Sequence, residues 1–234
     1  VSTPNQESAF RVFSVMNSRG LDLLPIDIIK SKTIGHLPTD QQKAYTDRWE
    51  ELESLTGRDG FNDVFSHTRM IFAKERPRKT LLEEFTEYVL QETQPAELID
   101  EYIEPYTGAY VQLRDCAYIS TKHADEINNL LYWLNKTDNK DWMPTAIKFL
   151  TTYKNDSAYI LWFIKKLERL ASYLYITGQD VNHRVNRYKW ILVEMENRPD
   201  SSIADPLVNI ELTAWEREMF RDTLDGEIYS MTSK

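Results

Sequence analysis

Ile160, Leu161, Phe163, Ile164, Leu167, Leu170, Ala171 and Leu174 are apolar through a single stretch of the chain. At helical pitch that stretch is about four turns long. The stripe is wider than one face, so the helix that carries it needs partners on more than one side. Asp156 or Ser157 starts this helix and Gly178 ends it. A chain built around such an element must supply further helices to cover it.

Those helices are marked by their punctuation. Residues 5–17 carry Ala9, Phe10, Phe13 and Met16 at helical spacing. Pro25 opens a helix with Ile26, Ile28 and Ile29, and Thr39 with Gln42 has capping-box spacing before Tyr45, Trp49 and Leu52. Gly57 to Gly60 reads as a turn, Phe61 begins the next helix, and residues 74–79 form a charged loop. Thr80 and Glu83 repeat the capping-box spacing, Pro95 starts another helix, and Pro105 is expected to bend or end it before Tyr110 and Leu113. Helices follow at 127–134, after Pro144, and from Asp180 to Met195; residues 197–202 break the chain, and a last helix runs from Thr213 to about Leu224. With only 7 glycines and no fixed repeat, the expected fold class is all-α, an irregular multi-helix bundle. Two lobes, divided near residues 116–124, would accommodate it.

Charge and composition exclude several classes. The 37 acidic and 28 basic residues give a net charge of −9, a poor global match for DNA that leaves room for a local basic face. No apolar run is long enough to span a bilayer, and no secretory signal is visible. The single cysteine, Cys116, fits a reducing cytoplasm. His36, His67, His123 and His183 are scattered without metal-ligand spacing, so no metal site is expected. There is no glycine-rich phosphate loop and no nucleophile elbow, and Glu50-Glu51 and Glu83-Glu84 read as solvated surface.

Three polar groupings are candidates for chemistry. Between the first two helices stand Asn17, Arg19 and Gly20, followed by Asp27 and Lys30. Asparagine and a planar guanidinium suit a phosphate near a helix start. Equally, Asn17 and Gly20 could simply end a helix, with Asp27 favouring the dipole and Lys30 solvated. Arg76, Arg78 and Lys79 form a basic loop, while Arg184, Arg187 and Lys189 lie with His183 at one end of a helix. Such a patch could meet a DNA phosphate or an acidic surface of another domain, or be balanced by nearby carboxylates.

Phe13, Asn17, Gly20, Leu23, Asp27 and Lys30 keep the pattern Phe-x-x-x-Asn-x-x-Gly-x-x-Leu-x-x-x-Asp-x-x-Lys. This resembles the later part of the GmrSD-type nuclease domain, a ParB/sulfiredoxin-like family of bacterial, modification-dependent restriction and phage-defence enzymes. The specific resemblance covers about 30 residues; a looser one covers the helical remainder, notably Leu161 to Met195. The family's Asp-Gly-Gln-Gln-Arg motif is missing, its nearest echo being Asp40-Gln41-Gln42-Lys43, and no Glu-His followed by proline occurs. The resemblance implies that residues 1–36 end a nucleotide-handling domain and 37–234 form a helical middle region, in a piece of a longer protein. It implies a connector in the cytoplasm between a nucleotide-hydrolysing domain and an HNH-type nuclease. This stretch would have no cofactor or catalytic residue of its own, although the parent would use a nucleoside triphosphate and a divalent metal. Partners would be the flanking catalytic domains, DNA through the parent, or a second copy of the chain. The competing expectation is a non-catalytic helical module that binds other proteins through exposed Tyr and Trp side chains.

Overall fold

The computed structural model describes residues 24–226. The helix expected over residues 5–17 and the Asn17, Arg19 and Gly20 break lie outside them. The described chain is all-α, a packed helical bundle.

Most helix starts have visible causes. Helix α1 (Pro25–Gly35) opens on proline, and Leu24 N–H donates to Asp27 Oδ2 at 3.1 Å. Helix α2 (Thr39–Thr56) begins one residue earlier than a Thr39 cap would allow. Pro38 takes the capping place with its carbonyl, and the Gln42 side chain turns back to donate to Leu37 O at 2.9 Å. Helix α3 (Arg58–Ala73) follows after Gly57 alone, at φ 73°. The four-residue turn expected there shrinks to one because only Gly57 needs the left-handed region, and Gly60 sits within α3. Helix α4 (Leu81–Phe85) carries the complete Thr80–Glu83 capping box.

Two stretches widen into π-helix, π1 (Thr86–Leu90) after α4 and π2 (Leu98–Ile103) after the short α5 (Pro95–Glu97). The chain stays helical past Pro105 into α6 (Glu104–Arg114). The loosened turn just before Pro105 places the proline in a first turn, where its missing N–H costs least. The rest comprises α7 (Ala124–Leu134), α8 (Met143–Thr152), α9 (Ser157–Ile176), α10 (Val181–Asn197) and α11 (Ala214–Asp225). Asp156 caps α9 by accepting from Tyr159 N–H at 2.9 Å, and Thr213 with Glu216 boxes the start of α11.

Helix α9 is the central element that its stripe requires. All eight apolar residues are buried, and the helix packs against α7, α8 and α11. They belong to a large hydrophobic cluster that also takes Val64 and Ile71 of α3, Tyr106 and Leu113 of α6, and Ile127 and Leu131 of α7. A smaller cluster gathers Ile26 and Ile29 of α1, Trp49 of α2, Phe61 and Phe65 of α3, Phe85, and Ile99 and Ile103 of π2. Phe72 and Tyr102, with ring centroids 5.0 Å apart, pack against both clusters. Among the described residues no helix is long and apolar enough to cross a membrane.

Candidate functional site

The charged loop after α3 is held by a buried ion pair. Lys74 leaves α3 in the left-handed region, at φ 52°, which turns the chain sharply away from the helix. Arg69, 2 % exposed, and Glu84, 3 % exposed, then hold the loop between α3 and α4. Arg69 Nε stands 2.6 Å from Glu84 Oε2. Neither atom has an aligned hydrogen bond, and Arg69 Nη2 is also unbonded, so the contact is an ion pair rather than a directional bond. Glu84 Oε1 accepts from the N–H of Arg78 at 2.7 Å and of Lys79 at 2.9 Å. Burial pushes the Glu84 carboxyl upward, but those two N–H groups and Arg69 outweigh it and hold it below the ordinary carboxylate range. Arg69 also donates to Glu75 O and lies over the Tyr88 ring.

The adjacency of Glu83 and Glu84 concealed this. Glu83 is exposed at the helix cap, whereas Glu84, one residue on, points into the protein. The available signal was Arg69, followed at once by Met70, Ile71 and Phe72 in α3, where a buried cation would need a counter-charge.

The loop so fixed forms one wall of a shallow cleft of about 560 Å³, and the start of α10 forms the other. Two basic patches separated by some hundred residues in the sequence thus face each other, and Arg76 Nη1 donates to Asn182 Oδ1 across the gap at 3.0 Å. Arg78 and Lys189 also line it. Asn182 is neutral, Lys189 lies over the Trp190 ring at 5.6 Å, and Arg78 has no carboxylate partner among the described residues. Arg76, Arg78 and Lys189 thus line the cleft without a direct ion pair among the described residues. Lys74, at the cleft floor, is paired with Glu196 at 2.7 Å. Two carboxylates share the cleft and keep their charge: Glu75 accepts from Tyr88 Oη at 2.7 Å, and Asp180 accepts from Asn182 and His183 N–H at 2.8 and 3.0 Å, so the cations outnumber rather than stand clear of them. With Asp180 seated on it, the α10 N-terminus is not itself an anion receptor.

The other candidates are placed elsewhere. Lys79 pairs with Glu87 at 2.6 Å and does not line the cleft. Arg184 pairs with Asp141 at 2.6 Å and donates to Gln179 O at 2.8 Å. Arg187 donates to Glu211 O at 2.6 Å and reaches Glu216 at 3.4 Å. These two arginines tie α10 to its neighbours. Asp27 and Lys30 do the same for α1: Asp27 pairs with Arg58 at 2.8 Å and Lys30 with Glu50 at 3.1 Å. Asn17, Arg19 and Gly20 lie outside the described residues.

One more buried carboxylate organises backbone rather than chemistry. Glu194 of α10 accepts from Val208 N–H, Asn209 N–H and Asn209 Nδ2, all within 2.9 Å, and from Arg198 at 2.9 Å. It fixes the long connection between α10 and α11. Among the described residues no group of His, Cys, Asp or Glu is arranged to hold a metal ion. No protein family matches this chain, and neither does any curated protein or solved structure.

Proposed function

We propose that this chain is a helical connector in a GmrSD-like, DNA-targeting restriction nuclease of the bacterial cytoplasm, transmitting nucleotide state from a preceding domain to an HNH-type nuclease. The observation that carries the reading is how α1, which carries the last residues of the family-like segment, is joined to the body. Ile26 and Ile29 are fully buried, and Asp27 and Lys30 are clamped to Arg58 of α3 and Glu50 of α2. Whatever precedes α1 is thereby coupled to two helices at once, as a lever needs to be. The role requires no catalytic residue in the helical body.

The test is the reading frame on either side of this sequence. An Asp-Gly-Gln-Gln-Arg motif upstream and a Glu-His-x-x-Pro segment downstream support the connector, and charge reversal at Arg58 in that longer protein should then uncouple nucleotide turnover from DNA cleavage. Flanks with neither motif refute it.

A further inference from the structure

The basic cleft does not end at Lys74. The same side chain lines an adjoining concavity of about 480 Å³ with a different character. Its walls include the rings of Phe72, Tyr88 and Tyr102, each partly exposed, and the carboxylates of Glu92 and Glu196. Burial pushes the Tyr102 hydroxyl's pKa upward. Cationic groove and aromatic hollow thus share a boundary residue, the two ingredients that bind a nucleic-acid strand: charges along the phosphates and a ring surface for a base.

We propose that the two concavities form one site for single-stranded nucleic acid. Phosphodiesters lie along Arg76, Arg78 and Lys189, and one base enters beside Phe72 and Tyr102, where Glu92 accepts from its exocyclic amine. A duplex fits poorly, because its paired bases cannot turn into the hollow while the backbone follows the groove. An acidic polypeptide fits worse, since it would bring carboxylates against Glu92 and Glu196. The site does not depend on the connector reading; a chain flanked by no nuclease would still carry it.

The experiment is fluorescence anisotropy with labelled oligodeoxycytidylate and oligocytidylate, the matching duplex, oligothymidylate and polyglutamate. Both cytidine strands should bind at low salt more tightly than thymidylate or duplex, and whichever is tighter assigns the sugar. Three phosphate contacts predict a salt slope of about −2. Arg76→Ala with Arg78→Ala, both at exposed positions, should weaken binding roughly tenfold and bring the slope towards about −1. A 5-iodocytidine strand should photocrosslink to peptides holding Phe72, Tyr88 or Tyr102, a readout that needs no core substitution. No binding of single strands, equal binding of duplex or polyglutamate, indifference to the double substitution, or crosslinks confined to peptides outside Phe72, Tyr88 and Tyr102 would each overturn the proposal.

Discussion

Glu84→Gln is the substitution with the sharpest consequence. It keeps the shape of the side chain and leaves an oxygen for the N–H groups of Arg78 and Lys79, but removes the charge facing Arg69. Arg69 is 2 % exposed, so its guanidinium would stay buried without compensation. Breaking a buried pair from one side costs about 3–5 kcal/mol, and the retained backbone bonds place this case near 3. Replacing both partners, as Arg69→Met with Glu84→Gln, removes the stranded charge and should recover about 2 kcal/mol of that loss. Urea denaturation, read as the midpoint at constant slope, measures all three variants. The native pair also makes stability depend on acid. Glu84 titrates below its ordinary 4.5 in the folded chain, so the unfolded chain takes up that proton first and stability falls as pH drops below that value. A loss under about 1 kcal/mol for Glu84→Gln, or a double variant no more stable than Glu84→Gln, would refute the reasoning.

Three further outcomes follow from the packing. Desolvation lowers His67 from 6.5 to about 4, so stability should decline as pH falls through that interval, by at most about 2 kcal/mol between pH 7.5 and 5; His67→Leu should flatten that part of the urea-midpoint profile. A Cβ on Gly60 would meet Arg114 Nη1 at 3.0 Å and displace it from Thr56 O. Gly60→Ala should therefore fall short of the helix preference of about 1 kcal/mol in thermal melts and gain more of it when Arg114→Ala is also present, Thr56 Cβ at 3.3 Å still having to give. Glu194→Gln should cost about 2 kcal/mol and expose the 198–212 connection to subtilisin, seen as early cleavage there by mass spectrometry.

The fold was legible wherever a single residue type decides a local geometry. Pro25, the Thr80–Glu83 pair, Asp156 and Thr213 start their helices as their chemistry dictates. The stripe of α9 announced its central place in the bundle. Reading failed where two residues compete for one role: Pro38 displaced Thr39 as the cap, and Gly57 made the rest of its turn unnecessary. The cleft was half legible. Its arginines stood out as two patches, but only tertiary packing brings Arg76 against Asn182. The Arg69–Glu84 pair escaped notice because helical phase, which separates Glu83 from Glu84, is not written in residue type.

Helix α3 gives Phe61 and Phe65 to the smaller cluster and Val64 and Ile71 to the larger. It is a party wall, and neither room stands without it. Expressing the chain without the part before the loop after Ala73 would take α3 from α8, against which it packs, and leave the larger core open along that side. The charged loop after Ala73 is therefore a connection within shared cores, not a boundary between independent halves.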